Sequence, residues 1–348
     1  MTNSRSRRLA AAAASGAAAL LAAVGVGACS STPKDEIEAA LLALPKNARV
    51  RAHGLSRARL DVRLGDETVA AGVTYLHVRA AAPGGAARPP VVLVHGTPSS
   101  LFTCAPLVFG EGDFPGLPAL LPGRDVVAID VVGHGVTRTE APPYSFQRCA
   151  DWVAGVIAGL GLRDVVLVGN SYGGEFVWRA ALDRPDLVGR VVLLDTSGHP
   201  RADDEWLPEE VAMRENPLAG IGYVLNSRDR IRTALAPHFP AGVTDDQVEE
   251  IYQVCDNADS WRAMVDLARD ENGSRAGELP RLAPPTLLVW GAADAAYGVQ
   301  RFARLFERDI PDARLVVVPG SGHYPQESRP AEVARLIAEF VEAPERGR

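Results

Sequence analysis

The stretch that most constrains this chain is residues 165–174, which read Val-Val-Leu-Val-Gly-Asn-Ser-Tyr-Gly-Gly. The four apolar residues predict a buried strand, and Gly-Asn-Ser-Tyr-Gly predicts a sharp turn from that strand into a helix. Such a turn lifts the Ser171 hydroxyl clear of the sheet, and it needs Gly169 and Gly173 because side chains there would collide as strand and helix close. The pattern is typical of a nucleophilic serine. A lone Gly-x-Ser-x-Gly also occurs by chance, so the rest of the chain must supply a base and an acid.

Beyond residue 90, short apolar strands alternate with helical patterns, which predicts a mainly parallel sheet with helices on both faces. Residues 57–79 precede them and predict an antiparallel hairpin. The later strands and helices are predicted at residues 91–94, 125–129, 165–168, 191–194, 286–290 and 314–318, and at residues 146–160, 172–182, 298–307 and 330–341 respectively.

The alternation breaks once, over residues 199–281, which are rich in charge, helical in pattern and without a convincing strand. We interpret this segment as a helical cap inserted after the sixth of eight strands; a peripheral extension with no role at the site is the alternative. The core then consists of residues 57–198 and 282–348. Residues 29–56 form a tether and a short helix, which either packs on the domain or belongs to a stalk.

Two loops after later strands carry the partners that a serine nucleophile needs. A base must take the serine proton, and a third group must orient the base and stabilise its positive charge. Asp294 follows the strand ending at residue 290, and His323 follows the strand ending at residue 318. The order Ser171, Asp294, His323 predicts a catalytic triad. Asp195, which ends the sixth strand, is the alternative acid.

Five stretches together resemble the α/β-hydrolase fold family, and within it the capped group of esterases, carbon–carbon bond hydrolases, epoxide hydrolases and haloalkane dehalogenases. They are residues 95–98, 130–135, 169–174, 291–294 and 322–325. The resemblance implies an α/β fold with an eight-stranded, mostly parallel sheet. It also implies an oxyanion hole formed by the backbone N–H groups of Thr97 and Tyr172, which would stabilise developing negative charge. His95 is an alternative base, but its position before Gly96 favours a structural role that braces that loop, and His134, in the turn after Asp130, is also interpreted as structural.

The identity of residue 171 as a serine argues against some of the reactions known in the family that the chain resembles. Epoxide hydrolases and haloalkane dehalogenases carry an aspartate where this chain has Ser171, which disfavours both reactions. The prediction is a serine hydrolase that cleaves a carboxylic ester of a small or medium-sized substrate, with no cofactor. The alternatives are a carbon–carbon bond hydrolase, amidase, peptidase or lactonase with the same triad, and an inactive surface-tethered binding protein. The substrate pocket is expected between Ser171 and the cap. Phe102, Trp206, Tyr223, Tyr252 and Trp261 are candidate lining residues, although ordinary helix packing is the favoured interpretation of each.

The charge and histidine content argue against other partners. A net charge of −7 provides no basic surface for nucleic acid. His53, His77, His199 and His238 have no partner at metal-ligand spacing, so no metal site is predicted. The sequence does not indicate an oligomeric state.

The first residues predict export. Three arginines at positions 5, 7 and 8 precede an apolar run over residues 9–28, as in a signal peptide. The run ends in Val-Gly-Ala-Cys29, which resembles a bacterial lipobox in which residues 1–28 are removed and Cys29 carries lipid. The prediction is a lipid-anchored protein of the cell envelope, with membrane contact through Cys29. Ordinary secretion and an uncleaved membrane anchor are the alternatives.

The three remaining cysteines are Cys104, Cys149 and Cys255. In an oxidising compartment one disulfide is plausible, with Cys104 and Cys149 as the favoured pair. Three buried, unpaired thiols are the alternative.

Overall fold

An eight-stranded sheet forms the centre of the structure, a computed structural model that describes residues 31–80 and 88–344. Its spatial order is β1-β2-β4-β3-β5-β6-β7-β8. Strand β2 runs antiparallel to both of its neighbours, and every other neighbouring pair is parallel. The strands are β1 Ser56–Leu64, β2 Glu67–Val78, β3 Val91–Val94, β4 Val126–Ile129, β5 Val165–Asn170, β6 Val188–Leu194, β7 Thr286–Gly291 and β8 Ala313–Val318. The predicted mostly parallel α/β sheet is confirmed.

Helices cover the sheet and fill the insertion after β6. The predicted helix at residues 298–307 begins only at Phe302, because residues 298–301 form turns in which Gly298 O accepts from the Arg301 and Phe302 N–H groups. The α-helices are α1 Lys34–Ala43, α2 Ala48–His53, α3 Ala105–Phe109, α4 Leu117–Leu120, α5 Phe146–Gly159, α6 Tyr172–Asp183, α7 Pro208–Glu215, α8 Arg228–Leu235, α9 Asp245–Cys255, α10 Ala258–Asp270, α11 Phe302–Asp309, α12 Pro325–Ser328 and α13 Pro330–Glu342. Short 3₁₀ turns lie at Pro45–Asn47, Leu101–Cys104, Asp203–Glu205, Ala219–Leu225, Ala236–His238 and Ala276–Arg281.

The sheet has an apolar core on each face, because successive strand side chains point to opposite sides. Val92 and Val94 of β3 belong to the cluster that includes α5, α6 and α11. Val91 and Leu93 belong to the cluster that includes α1, α3 and α13. Burial on both faces explains why the central strands are continuous apolar runs.

The segment before β1 is part of the folded domain. Ile37 and Leu41 of α1 are fully buried in the second core cluster, and the Lys34 ammonium donates to Gly135 O at 2.9 Å. The short helix predicted within residues 29–56 therefore packs on the domain. Cys29 and residues 1–28 lie outside the described residues, so their assignments remain predictions.

The predicted disulfide between Cys104 and Cys149 is absent from the structure. Cys104 lies in the cluster on one face of the sheet and Cys149 in the cluster on the other, so the sheet separates them. Cys255 packs within a third cluster in the insertion. All three are buried free thiols, which is the alternative that the sequence left open.

The insertion between β6 and β7 is helical. It contains α7 to α10 and four 3₁₀ turns. Ile231, Leu235, Phe239, Val248 and Ile251 give it an apolar cluster of its own, joined by Tyr324 from the loop after β8. A cap inserted after the sixth strand is thus present, and Tyr324 links it to the core. Within residues 31–80 and 88–344, no helix combines the length and apolarity needed to cross a bilayer.

Ile37→Ala tests whether α1 belongs to the cooperative unit. We expect a loss of about 3 kcal/mol in the free energy of unfolding, because a fully buried side chain is truncated in a packed core. Chemical denaturation monitored by tryptophan fluorescence measures it. The exposed neighbour Glu36 provides the control, since Glu36→Ala should change stability by less than about 0.5 kcal/mol. Equal effects of the two substitutions would contradict the packing role of α1.

Candidate active site

Ser171 stands at the apex of a strained turn between β5 and α6. Its φ of +55° is unusual for a residue with a side chain, and only 5% of its surface is exposed. A Cβ on Gly173 would lie 2.2 Å from His95 O, and one on Gly169 would lie 2.4 Å from Gly173 O. The turn therefore requires glycine at both positions, for the steric reason expected from the sequence.

Asn170 joins this turn to the loop that carries His323. Its side-chain amide donates to His323 O at 3.0 Å and to Leu194 O at 3.1 Å. Its Oδ1 accepts from Gln326 Nε2 at 3.1 Å. Because these groups are buried, the hydrogen bonds fix the serine turn and the histidine loop relative to each other. Sequence reasoning did not assign Asn170 or Gln326 a role.

The structure brings Asp294 and His323 together. His323 Nδ1 lies 3.0 Å from Asp294 Oδ1, and the same oxygen accepts from the Ala296 N–H at 2.9 Å. Burial would raise the pKa of Asp294, but the interaction with His323 and the hydrogen bonds from His323 and the Ala296 N–H hold this pKa below its usual range. An ionised Asp294 orients the imidazole so that Nε2 remains free for a proton transfer.

Asp195, the alternative acid, lies beside Asp294. It is completely buried, and its φ is +44°. Its Oδ1 accepts from the Gly291 N–H at 2.8 Å. Burial, together with the neighbouring Asp294, raises the pKa of Asp195 well above its usual range. In this geometry Asp294 contacts His323 directly, and Asp195 contacts Asp294.

The loop after β3 lies against the serine. A Cβ on Gly96 would be 2.9 Å from Ser171 Cβ. Thr97, the next residue of the chain, therefore lies near Ser171. Tyr172 is the first residue of α6, and N–H groups at this position have no acceptor within the helix. The two residues predicted for the oxyanion hole thus flank Ser171 from different elements.

Two buried histidines brace that loop. His95 Nδ1 lies 2.7 Å from Gly96 O, and Nε2 accepts from the Val131 N–H at 3.1 Å. His134 Nε2 lies 2.8 Å from Thr97 Oγ1. Burial is the main reason that the pKa falls to about 3 for His95 and about 4 for His134. Both are neutral at pH 7, which agrees with a structural role.

Glu271, at the end of the cap, connects the cap to residues beside the nucleophile and the acid. It accepts from the Tyr172 hydroxyl at 2.5 Å and from the Tyr297 hydroxyl at 2.8 Å. Arg201 Nη1 lies 3.7 Å away and is itself paired with Glu210. Burial raises the pKa of Glu271 to about 7, although Arg201 and the tyrosine hydroxyls oppose the shift. No sequence motif marks this residue.

A second cap residue, His238, lies over the catalytic loop. Its ring centroid is 5.2 Å from that of His323, and its carbonyl accepts from the His323 N–H at 3.2 Å. Its buried Nδ1 has no hydrogen-bond partner among the described residues. Burial and the adjacent His323 lower the pKa of His238 to about 3. A neutral imidazole of the cap therefore adjoins the predicted base.

A cavity lies between the cap and the His323 loop. Leu235, Phe239, Ile251 and Tyr324 form apolar parts of its wall, and Lys46 lies at its polar side. None of the aromatic residues predicted to line the pocket contributes to this wall, namely Phe102, Trp206, Tyr223, Tyr252 and Trp261. Several of them pack elsewhere. Trp206, for example, packs against the guanidinium groups of Arg201 and Arg214, whose Cζ atoms lie 4.1 Å and 3.8 Å from its ring centroid.

One group of potential metal ligands occurs in the described part of the chain. It consists of Asp195, Asp294 and His323, with ligand atoms within 4.8 Å of one another. These are the two candidate acids and the predicted base, so hydrogen bonding already accounts for their proximity. The absence of a metal remains a prediction.

Comparisons with known proteins agree with the fold. Residues 91–336 match the model of the Alpha/beta hydrolase family. The uncharacterized hydrolase YugF of Bacillus subtilis is 26% identical over 73% of this chain and 90% of its own length. A 2-hydroxymuconate semialdehyde hydrolase of Pseudomonas putida is 29% identical over 72% of this chain and 86% of its own. A crystal structure described as a membrane phospholipase A, a novel bacterial virulence factor, superposes with a TM-score of 0.67 at 23% identity and covers 94% of this chain and 96% of that one.

Glu271→Gln tests the buried carboxyl of the cap. The folded-state pKa of about 7 exceeds the ordinary 4.5, so the folded state binds this proton more tightly. The resulting stabilisation is complete below pH 4.5 and is lost as the pH rises through 7. The parent should therefore lose up to about 3 kcal/mol from this group between pH 4.5 and pH 8.

Glutamine does not titrate, so the variant should show a flatter pH dependence of unfolding over this range. Urea unfolding at pH 5 and pH 8 measures the difference. Glu339→Gln, on the surface helix α13, should retain the parental pH dependence. An unchanged slope in Glu271→Gln would contradict the raised pKa.

Proposed function

The chain belongs to the alpha/beta hydrolase family and is an enzyme, and we propose that it hydrolyses a carboxylic ester of a small or medium-sized substrate through an acyl-enzyme on Ser171. The observation that carries the proposal is the 3.0 Å contact between His323 Nδ1 and Asp294 Oδ1. The His323 loop is hydrogen-bonded to Asn170, the residue preceding Ser171. A base oriented by a carboxylate beside a strained serine is the arrangement that activates a hydroxyl.

The mechanism follows from this arrangement. His323 Nε2 takes the Ser171 proton while the hydroxyl oxygen attacks the ester carbonyl carbon. The N–H groups of Thr97 and Tyr172 stabilise the oxyanion. His323 then donates the proton to the leaving alcohol and activates a water molecule, which attacks the acyl-enzyme and releases the acid and Ser171. Asp294 remains ionised throughout and stabilises the imidazolium.

Carbon–carbon bond hydrolysis with the same triad is the second candidate. It is supported by the 29% identity to the 2-hydroxymuconate semialdehyde hydrolase and by the sequence Gly-Asn-Ser-Tyr-Gly-Gly at residues 169–174. The loop after His95 lacks the glycine-rich run expected of that group, so ester hydrolysis is favoured. Assay of a ring-cleavage product beside the esters separates the two reactions.

We also propose that the enzyme is exported and lipid-anchored through Cys29. The support is in the sequence: three arginines, the apolar run of residues 9–28 and the Val-Gly-Ala-Cys ending. The described domain begins its first helix at Lys34, so only residues 30–33 would separate the lipid from the folded domain. This arrangement would hold the enzyme at a membrane surface.

Ser171→Ala tests the nucleophile. Hydrolysis of p-nitrophenyl esters should fall at least about 10⁴-fold, because no acyl-enzyme can form. A fluorophosphonate probe should label the parent and not the variant, and mass spectrometry should locate the adduct at Ser171. The exposed Ser274 supplies the control, since Ser274→Ala should keep both activity and labelling. Unchanged hydrolysis by purified Ser171→Ala would show that this serine is not the nucleophile.

Cys29→Ala tests the anchor. In bacteria grown with labelled palmitate, the parent should incorporate label and fractionate with membranes, and Cys29→Ala should do neither. Cys104→Ser, at a buried thiol, should incorporate label like the parent. Label in the Cys29→Ala protein would contradict lipidation at this residue.

A further inference from the structure

The carboxyl groups of Asp195 and Asp294 each have one buried oxygen without a hydrogen-bond partner. A proton shared between the two carboxyl groups would give both oxygens a partner. Asp195 Oδ1 accepts from Gly291 N–H, and Asp294 Oδ1 accepts from both Ala296 N–H and His323 Nδ1. The remaining oxygens, Asp195 Oδ2 and Asp294 Oδ2, are both buried and receive no hydrogen bond from any donor in the described residues. Two ionised carboxylates can only accept hydrogen bonds, so they could not satisfy each other.

We propose that Asp195 is a neutral carboxylic acid that donates its Oδ2 proton to Asp294 Oδ2, which makes it a positioning residue for the acid of the triad. One proton then satisfies both buried oxygens. The role of Asp294 rests on the proposed function. The proton stays between the two carboxyl groups during turnover, and the protons transferred in the reaction move between Ser171, His323, the leaving alcohol and the attacking water.

The charges around the pair support this assignment. Burial and the negative Asp294 both raise the pKa of Asp195, and the Gly291 N–H opposes them only in part. The His323 imidazole hydrogen-bonds to Asp294 through Nδ1 and makes no such bond to Asp195. Like charges that share a buried site cannot both ionise, so one carboxyl keeps its proton. Asp195, whose carboxyl accepts only from Gly291 N–H while Asp294 accepts from both Ala296 N–H and His323, is the one that keeps it.

A hydrogen bond from Asp195 affects both the orientation and the ionisation of the Asp294 carboxyl. Its Oδ1 is held by Ala296 N–H and faces His323, while a donor at Oδ2 prevents the carboxylate from rotating. The left-handed backbone of Asp195, at φ +44°, is the kind of strained conformation that persists at functional sites. Without the donor, Asp294 would lose one of the hydrogen bonds that favour its ionised form.

Infrared spectroscopy of the full-length protein measures the protonation state directly. Protein labelled with carboxyl-¹³C aspartate is compared with its Asp195→Asn variant at pH 7. The carbonyl band of a protonated aspartic acid should be present in the parent and lost from the variant. Other buried aspartates, such as Asp130, whose pKa burial raises to about 7, contribute equally to both spectra and cancel in the difference. An unchanged protonated band would show that Asp195 is ionised and overturn the proposal.

Kinetics of matched variants test the positioning role. Asparagine can accept from Gly291 N–H and donate to Asp294 Oδ2, so Asp195→Asn should keep kcat within about three-fold. Asp195→Leu has a similar shape without the donor, and should lower kcat about 10- to 100-fold with little change in KM. Asp294→Asn should lower kcat about 10⁴-fold.

A loss in Asp195→Asn as large as that in Asp294→Asn would overturn the proposal, because a carboxylate would then be needed at position 195. Parental kcat in a folded Asp195→Leu variant would overturn it as well. If Asp195→Leu does not fold, Asp195→Asn and the infrared difference decide. If no variant or parent hydrolyses an ester, the proposed function fails, while the infrared result still reports whether Asp195 carries the proton.

Discussion

The structure depends on the close approach of α6 to the ends of β3 and β5. At Gly169 and Gly173 there is no room for a Cβ, since it would lie 2.4 Å or less from a backbone oxygen. This contact forces Ser171 into its left-handed conformation and brings Gly96 against the serine Cβ. The nucleophile and the loop expected to stabilise an oxyanion are therefore placed by one backbone contact rather than by flexible side chains, which is the preorganisation that catalysis requires.

Buried hydrogen bonds complete the site around that backbone. Asn170 ties the serine turn to the His323 loop, and Asp130 accepts from the Leu101 and Val136 N–H groups at 2.6 Å each in the loop layer beside His95. Because polar groups are costly to bury without hydrogen-bond partners, each of these side chains holds in place the segment that provides its partner. The orientation of the triad thus depends on hydrogen bonds made by residues that do not themselves take part in the reaction.

The cap contributes to the site rather than merely covering it. Glu271 bonds the hydroxyl of Tyr172, whose own N–H is expected at the oxyanion, and the hydroxyl of Tyr297, which follows Asp294 by three residues. His238 lies over His323. Movement of the cap would therefore disturb the residues beside the nucleophile, the acid and the base together. This coupling disfavours a peripheral, inactive extension.

The sequence by itself determined the sheet, the cap position and the three triad candidates, because strand periodicity, glycine at a tight turn and residues directly after strands are local signals. It favoured Asp294 over Asp195 as the acid, but both follow a strand, and only the fold shows that Asp294 contacts His323. It also missed Asn170, Gln326 and Glu271, and it left open a disulfide between Cys104 and Cys149, which the sheet separates. Those features depend on contacts between residues distant in the chain, and only the tertiary structure brings these together.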